Sequence, residues 1–379
     1  MLIGVPKEIK NQEYRVGMTP ASVREVVNHS HRVMVQTDAG AAIGFSDESY
    51  IAAGAEIIET PEQIFAQTQM IIKVKEPQPH ECSMLRKGQI LYTYLHLAPD
   101  PGLTELLAAS FATCIAYETV TDSSGGLPLL APMSEVAGRL APQVGAHHLE
   151  IAQGGRGILL GGVPGVEAAK VLIIGGGTVG HNAATIAVGM GADVTILDRS
   201  PARLRKLDNS YKGRVKCVYS TTMTLEEHAI VSDLVIGAVL IPGAAAPKLL
   251  TREITRRMRQ GSVVVDVAID QGGCFETSRP TTHSDPTFVV DGVIHYCVAN
   301  MPGAVARTST LALNNATLPS VLALADKGAR QAMQDNPHLL HGLNVCRGKV
   351  THKAVCETLG YEYTAPEVAL DLRPAHFTS

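Results

Sequence analysis

The stretch KVLIIGGGTVGHNAATIAVGMGADVTILD at positions 170–198 limits the possible folds more than any other. Its apolar, β-branched opening at 171–174 suits a buried parallel strand, and Gly175, Gly177 and Gly180 follow at the spacing G-x-G-x-x-G. In a strand–turn–helix setting the first glycine permits the tight turn and the second lets backbone approach a pyrophosphate. The third lets the new helix pack closely on its strand. Unpaired N–H groups and the positive dipole end of that helix stabilise an anion. A second strand at 193–197 ends in Asp198, whose carboxylate accepts hydrogen bonds from an adenosine ribose and repels a 2′-phosphate. NAD is therefore favoured over NADP, although Arg199 pulls the other way. The residues from 171 to 192 are uncharged, but their glycines, His181 and Asn182 argue against a membrane span.

A chain of 379 residues has room for two or three domains, and 45% hydrophobic with 18% charged residues describes a globular protein. A net charge of −4 gives no general attraction to nucleic acid or to an anionic membrane, so the expected partner is a small molecule. Trp is absent and aromatics make up 4%, which removes the stacking platforms of a single-strand binder. The seven cysteines, at 82, 114, 217, 274, 297, 346 and 356, never form C-x-x-C, as expected for reduced thiols. The start MLIGVPKEIK enters a strand-like run without a cleavable leader, so a cytoplasmic protein is expected.

The first 120 residues alternate strand and helix patterns. Strands are expected at 2–5, 32–36, 70–74, 89–95 and 113–116, with helices near 21–28, 48–53, 61–67, 83–86 and 103–109. Such alternation predicts a parallel sheet with right-handed crossovers. Arg15 follows the first strand, Lys75 ends MIIKVK, His96 ends ILYTYLH and Glu118 closes CIAYE, so four ionisable residues gather at the carboxyl edge where open sheets bind ligands. The segment 131–153 reads as one helix with Ser134 in its first turn, and the glycines at 154–165 read as tight turns or a hairpin. Strands are then expected at 215–220, 234–240 and 262–269, with one or two more at 289–298; helices are expected at 201–209, 225–231 and 252–260. Arg252, Arg256, Arg257 and Arg259 read as a solvated helix face rather than a nucleic-acid patch. Residues 304–379 read as helical and without strands of their own.

These patterns predict an α/β protein of two doubly wound, Rossmann-like domains with a cleft between them. Residues 1–130 with 305–379 form a discontinuous substrate domain, and 131–304 form the nucleotide domain. Arg15 and Lys75 suit a carboxylate substrate, through a bidentate fork and an ammonium. His96 supplies a proton donor and acceptor near neutral pH, while the nucleotide domain offers Asn300 and Asp270, the latter opposite the point where a nicotinamide would lie. An amino acid oxidised by hydride loss gives an iminium that water hydrolyses, and Asp270 can take the protons released. Metal catalysis has less support: the 14 histidines form no H-E-x-x-H, and His147 and His148 are neighbours on a helix.

The blocks GVPKEIKNQEYRVGMTP, IIKVKEPQ, TYLHLAPD, IAYETV, LPLLAPMSEVAGR, GGRGILLGGVPGV, IIGGGTVG, VVVDVAIDQGG and VANMPGAVARTST resemble the alanine dehydrogenase family over nearly the whole chain. The resemblance implies that Arg15 and Lys75 bind the substrate and that His96 and Asp270 are the acid/base pair. It implies NAD contacts at Ser134, Thr178, Val179, Asp198, Arg203, Ser220, Val239 and Leu240. The same holds for Val267, Ala268, Ile269, Asp270, Val298, Ala299, Asn300 and Met301. The reaction implied is L-alanine, NAD and water giving pyruvate, ammonium and NADH, in a homohexamer. Some members have His where this chain has Lys327, and that His holds magnesium with a glutamate; the lysine puts such a site in doubt, and Glu118 is expected to pair with Lys75 instead. Two alternatives share the domain logic: the nucleotide-binding module of a proton-pumping transhydrogenase, and an opine- or saccharopine-type dehydrogenase.

Overall fold

The structure is a computed structural model that describes residues 1–239 and 247–372. In chain order its strands are β1 (Leu2–Val5), β2 (Arg32–Gln36), β3 (Glu56–Ile58), β4 (Met70–Ile72), β5 (Ile90–Thr93), β6 (Thr113–Ala116), β7 (Lys170–Ile174) and β8 (Asp193–Asp198). They continue with β9 (Val215–Tyr219), β10 (Leu234–Gly237), β11 (Val263–Asp266), β12 (Thr287–Val290), β13 (Val293–Tyr296), β14 (Leu343–Cys346) and β15 (Lys349–Val350). The chain forms two units, Met1–Pro132 with Val305–Ser379, and Met133–Ala304.

The first unit is built on one sheet of order β15-β14-β6-β5-β4-β1-β2-β3. Strands β1 to β6 pair in parallel, and β14 and β15 add an antiparallel edge. Every residue of β4, β5 and β6 is buried, as befits central strands covered on both faces. Ile64, Phe65, Leu107 and Val355 pack from the helical layers onto Ile71, Leu91 and Cys114. The chain runs outward through β1, β2 and β3, then returns to β4 on the other side of β1. The order therefore reverses between β1 and β4, and the carboxyl ends there open onto a crevice.

Two expectations for this unit fail. The C-terminal segment does carry strands: LNVCRGKV folds as the hairpin β14–β15, turning at Arg347 (φ +50°) and Gly348 (φ +82°). Four residues with one β-branched member, behind a 30-residue helix (Ala306–Asp335), leave almost no strand periodicity to detect. β3 was also unforeseen; it has three residues and begins with the exposed Glu56. The long helix itself contains Pro319 and a non-helical Gly328 (φ +73°), so it is two helices joined at a kink.

The second unit has a sheet of order β12-β13-β11-β10-β7-β8-β9, parallel except for β12, which pairs antiparallel with β13. Its order reverses between β7 and β10. The helix expected over 131–153 ends at His148, and a short 3-10 turn, Ile151–Gln153, follows. Residues 154–165 form turns, with a lone antiparallel bridge Val163↔Val166. The basic helix spans Arg252–Arg257, and its arginines face acids of their own unit: Arg252 and Arg256 meet Asp291, Arg257 meets Glu226, and the adjacent Arg259 meets Asp233. Strand β11 is shorter than 262–269, so Asp270 lies beyond it in the 3-10 turn Ile269–Gln271. Among the described residues no helix is long and apolar enough to cross a membrane.

Candidate active site

In the first unit the candidate residues follow successive strand ends on both sides of the order reversal. Arg15 lies in the loop after β1, Lys75 just past β4, His96 just past β5, and Glu118 in the 3-10 turn Tyr117–Thr119 after β6. Arg15 is 2% exposed, and Glu13 fixes one edge of its guanidinium. Nε donates to Glu13 Oε1 at 2.7 Å and Nη2 to Oε2 at 2.6 Å. A buried charge is tolerable when paired and hydrogen-bonded in this way. A cavity of about 260 Å³ borders the pair, lined in part by Lys7, Glu8, Tyr14 and Asp38.

His96 holds a left-handed backbone (φ +50°), unusual for a residue with a Cβ and often found where a site imposes geometry. Its amide donates to Glu118 Oε1 at 2.6 Å, and the Leu95 amide reaches both Glu118 oxygens at 3.1 and 3.2 Å. The ring lies parallel to Tyr94, with centroids 5.8 Å apart, and its Nδ1 is 4.0 Å from Glu118 Oε1. Glu118 thus fastens the β5 end that carries His96. The Tyr94 hydroxyl donates to Leu129 O at 2.6 Å, and burial pushes its phenol up, so it stays neutral beneath the imidazole. Lys327 is bound by Asp335 at 2.6 Å. Among the described residues no three His, Cys, Asp or Glu are placed to hold a metal.

In the second unit the candidates ring the carboxyl ends beside the β7/β10 reversal. Gly175 closes β7 at φ +102°, and a Cβ there would lie 2.8 Å from Ala238 O. A Cβ on Gly180 would fall 1.8 Å from Gly175 O, so no side chain fits. Gly177 faces open space, with nothing within 4 Å of where its Cβ would be. Open backbone at the start of a 12-residue helix, Thr178–Gly189, fits a dinucleotide's pyrophosphate. Asp198 at the end of β8 accepts from the Gly176 amide at 2.7 Å and from the Ser200 amide at 2.7 Å. It therefore shapes the glycine turn as well as offering a carboxylate beside it.

Thr178 is exposed and Val179 buried in that first helical turn, Arg203 is exposed, and Ser220 and Val239 are half-buried past β9 and β10. Ser134 is half-buried in the first turn of the helix Ala131–His148. Leu240 lies outside the described residues. Past β11, Val267 is half-buried and Ala268 and Ile269 are buried, which leaves mainly backbone to meet a ligand, while Asp270 is exposed. Past β13, Val298 and Met301 are buried, Ala299 is half-buried, and Asn300 stands at φ +61°.

Sequence reasoning missed the buried acids that hold these groups. Asp266, fully buried at the end of β11, accepts from the Ala268, Cys274 and Phe275 amides, each at 3.2 Å, and from Ser278 Oγ at 2.6 Å. It ties down both sides of the loop that presents Asp270. In the first unit Glu8, Glu13, Lys73 and Glu81 play the corresponding part, and all four are buried. A carboxylate after VVV was visible as a signal; a lysine in IIKVK reads equally well as exposed.

The chain matches the family model "Alanine dehydrogenase/PNT, N-terminal domain" over residues 4–137 and its C-terminal counterpart over 141–353. A curated alanine dehydrogenase of Halomonas elongata is 62% identical, covering 96% of this chain and 98% of that protein. A solved L-alanine dehydrogenase superposes with a TM-score of 0.93 at 50% identity, over 95% of this chain and 99% of that one. A transhydrogenase from Sinorhizobium meliloti superposes with a TM-score of 0.80 at 24% identity, over 93% of this chain and all of that one, which shows a shared fold alone. Family models over both halves and a full-length relative at this identity establish that the chain belongs to the alanine dehydrogenase/PNT family.

Proposed function

We propose that this chain is an NAD-dependent amino-acid dehydrogenase that interconverts L-alanine, NAD and water with pyruvate, ammonium and NADH. The observation that carries the proposal is the row of Arg15, Lys75 and His96 at neighbouring strand ends across the order reversal of the first sheet. Arg15 and Lys75 bind the substrate carboxylate. Because Glu13 already occupies Nε and one Nη2 contact, Arg15 is held as a fixed donor rather than a mobile one. His96 turns Nδ1 toward Glu118, which leaves Nε2 to exchange the proton with the amine or carbonyl of the reacting carbon.

NAD, when bound, accepts the hydride from the α-carbon. Gly175, Gly177, Gly180, Thr178 and Val179 would hold its pyrophosphate, Asp198 and Arg203 its adenosine side, and Ser220 and Val239 the flank between. The backbone of 267–269 and of 298–301 would line the nicotinamide end, with Ser134 nearby in role. Asp270 takes a proton from the water that hydrolyses the imino acid, held in place by the loop Asp266 ties down. A homohexamer working in the cytoplasm completes the proposal.

The test is NADH absorbance on mixing the purified protein with NAD and L-alanine, with NADP and other amino acids alongside. Alanine-dependent NADH formation supports the proposal. Activity on 2-oxoglutarate plus lysine with none on pyruvate plus ammonium would replace it, and the particle mass in solution tests the hexamer.

A further inference from the structure

Lys73, Val74 and Lys75 have left strand β4, yet each of their backbone polar groups has a partner. Lys73 N–H donates to Tyr92 O at 3.2 Å, and Lys73 O accepts from the Tyr117 hydroxyl at 3.0 Å. Val74 O accepts from the Tyr94 amide at 3.3 Å, and Lys75 O from the Thr93 hydroxyl at 2.9 Å. The remaining two amides go to one side-chain atom: Glu8 Oε1 accepts from Val74 N–H at 2.6 Å and Lys75 N–H at 3.4 Å. Glu8 belongs to the loop after β1, across the order reversal from β4.

The other Glu8 oxygen meets Lys73 Nζ at 3.2 Å, and the same ammonium meets Glu81 Oε1 at 2.8 Å. Glu81 Oε2 accepts from the Gln78 amide at 2.8 Å, which anchors the start of the helix Pro79–Met84. These three side chains are at most 2% exposed. Burial pulls the Lys73 ammonium down, but the two carboxylates outweigh it and hold it above the usual lysine range. Ion groups so deeply buried are weak evidence for stability, since well-packed apolar residues of similar volume often serve as well. Their arrangement suits positioning instead.

We propose that Glu8 and Lys73 are positioning residues for substrate binding. Glu8 clasps the end of β4 to the loop that carries Arg15, so that the Lys75 ammonium and the Arg15 guanidinium meet the same carboxylate; Lys73 and Glu81 hold Glu8 in that pose. This rests on the proposed function, in which Lys75 and Arg15 bind the substrate carboxylate. A misplacement of about 1 Å is enough to cost on the order of 100-fold.

The experiment compares the full-length protein with Glu8→Gln and Lys73→Met in steady-state kinetics. Glu8→Gln is nearly isosteric and keeps an oxygen for the Val74 amide, but loses the charge that faces Lys73. KM for L-alanine and for pyruvate should rise about tenfold or more, with a smaller change in kcat and none in KM for NAD. A role in stability alone would lower the active fraction, hence kcat, and leave KM where it was. KM for L-alanine within about twofold of the parent in folded variants overturns the inference. Glu81→Gln, which keeps the cap on Gln78, repeats the test with a smaller shift. Loss of folding in all three variants would assign the cluster to stability and overturn it too. A parent protein with no alanine-dependent NADH formation defeats the proposed function itself, which is seen before any variant is compared, and the positioning role falls with it.

Discussion

The two units share one strand plan and furnish it differently. In each, six parallel strands take the order 3-2-1-4-5-6: β3-β2-β1-β4-β5-β6 in the first and β9-β8-β7-β10-β11-β13 in the second. Both add antiparallel pairing beyond the sixth strand, as β14–β15 or as β12. At the reversal the first unit places buried charges, Glu8, Glu13, Arg15 and Lys73; the second places glycines, one of them bare to a distance of 4 Å. Strand order selects the place where a ligand sits, and the residues there select which ligand. Side-chain charges suit a small anion gripped at two points, whereas exposed backbone amides suit a long phosphate-linked molecule.

The comparison breaks most visibly at the proposed chemistry. His96→Ala and Asp270→Asn should each lower kcat by about 100- to 10,000-fold, with the NAD dissociation constant nearly unchanged, because a proton transfer is lost and the glycine turn is intact. Loss of NAD binding by the His96 variant would mean that the two units do not divide the work as proposed. Next in size, Gly180→Ala drives a methyl onto Gly175 O and should destabilise the second unit by about 1–3 kcal/mol in urea unfolding. Gly177→Ala meets open space and should leave the unfolding midpoint alone while weakening NAD. Equal midpoints for the two variants would contradict the geometry of the turn. Smaller still, Asp198→Asn keeps an acceptor for the Gly176 amide but drops the charge. It should narrow the preference for NAD over NADP by about tenfold, on the order of 1.4 kcal/mol, in parallel titrations of the two nucleotides.

Much of this division is readable in the residues before any coordinates. Strands β1, β2 and β6 fall at the positions their apolar β-branched runs predict, and the glycine spacing marks the end of β7. That Arg15, Lys75, His96 and Asp270 each follow a strand is legible in the sequence, and strand ends are where such sheets bind, which is the ground for proposing them. The supporting acids are not legible in this way. Glu8 and Glu13 sit in PKEIKNQEYR, which has the composition of a solvated loop, yet both are buried, Glu8 against Lys73 and the Val74 amide past β4 and Glu13 against Arg15. Asp266 is similar: it is buried under a loop that folds back to donate five hydrogen bonds, the Cys274 thiol's among them. Local pattern predicts where the backbone goes, whereas the fate of a charge depends on neighbours distant in sequence.

The smallest expected difference between the units lies in their response to mild acid. Burial lowers the imidazoles of His148, His181 and His295 in the second unit and that of His352 in the first. A histidine whose folded pKa is depressed is neutral in the native state and takes up its proton more readily when unfolded. The unfolded chain therefore binds more protons in the window from about pH 6.5 downward, and stability falls as pH falls through it. Three such groups against one predict a steeper loss in the second unit. Native-state amide exchange at about pH 7.5 and about pH 5.5, corrected for intrinsic rates, should show protection dropping more in β7, β10 and β11 than in β1, β4 and β5. Burial raises the Glu8 carboxyl in the first unit, and a carboxyl raised in the folded state favours the native form as pH falls, which widens the difference between the units. An equal drop in both sheets would show that the two units open together, so that the different furnishing of their strand ends leaves no mark on local stability.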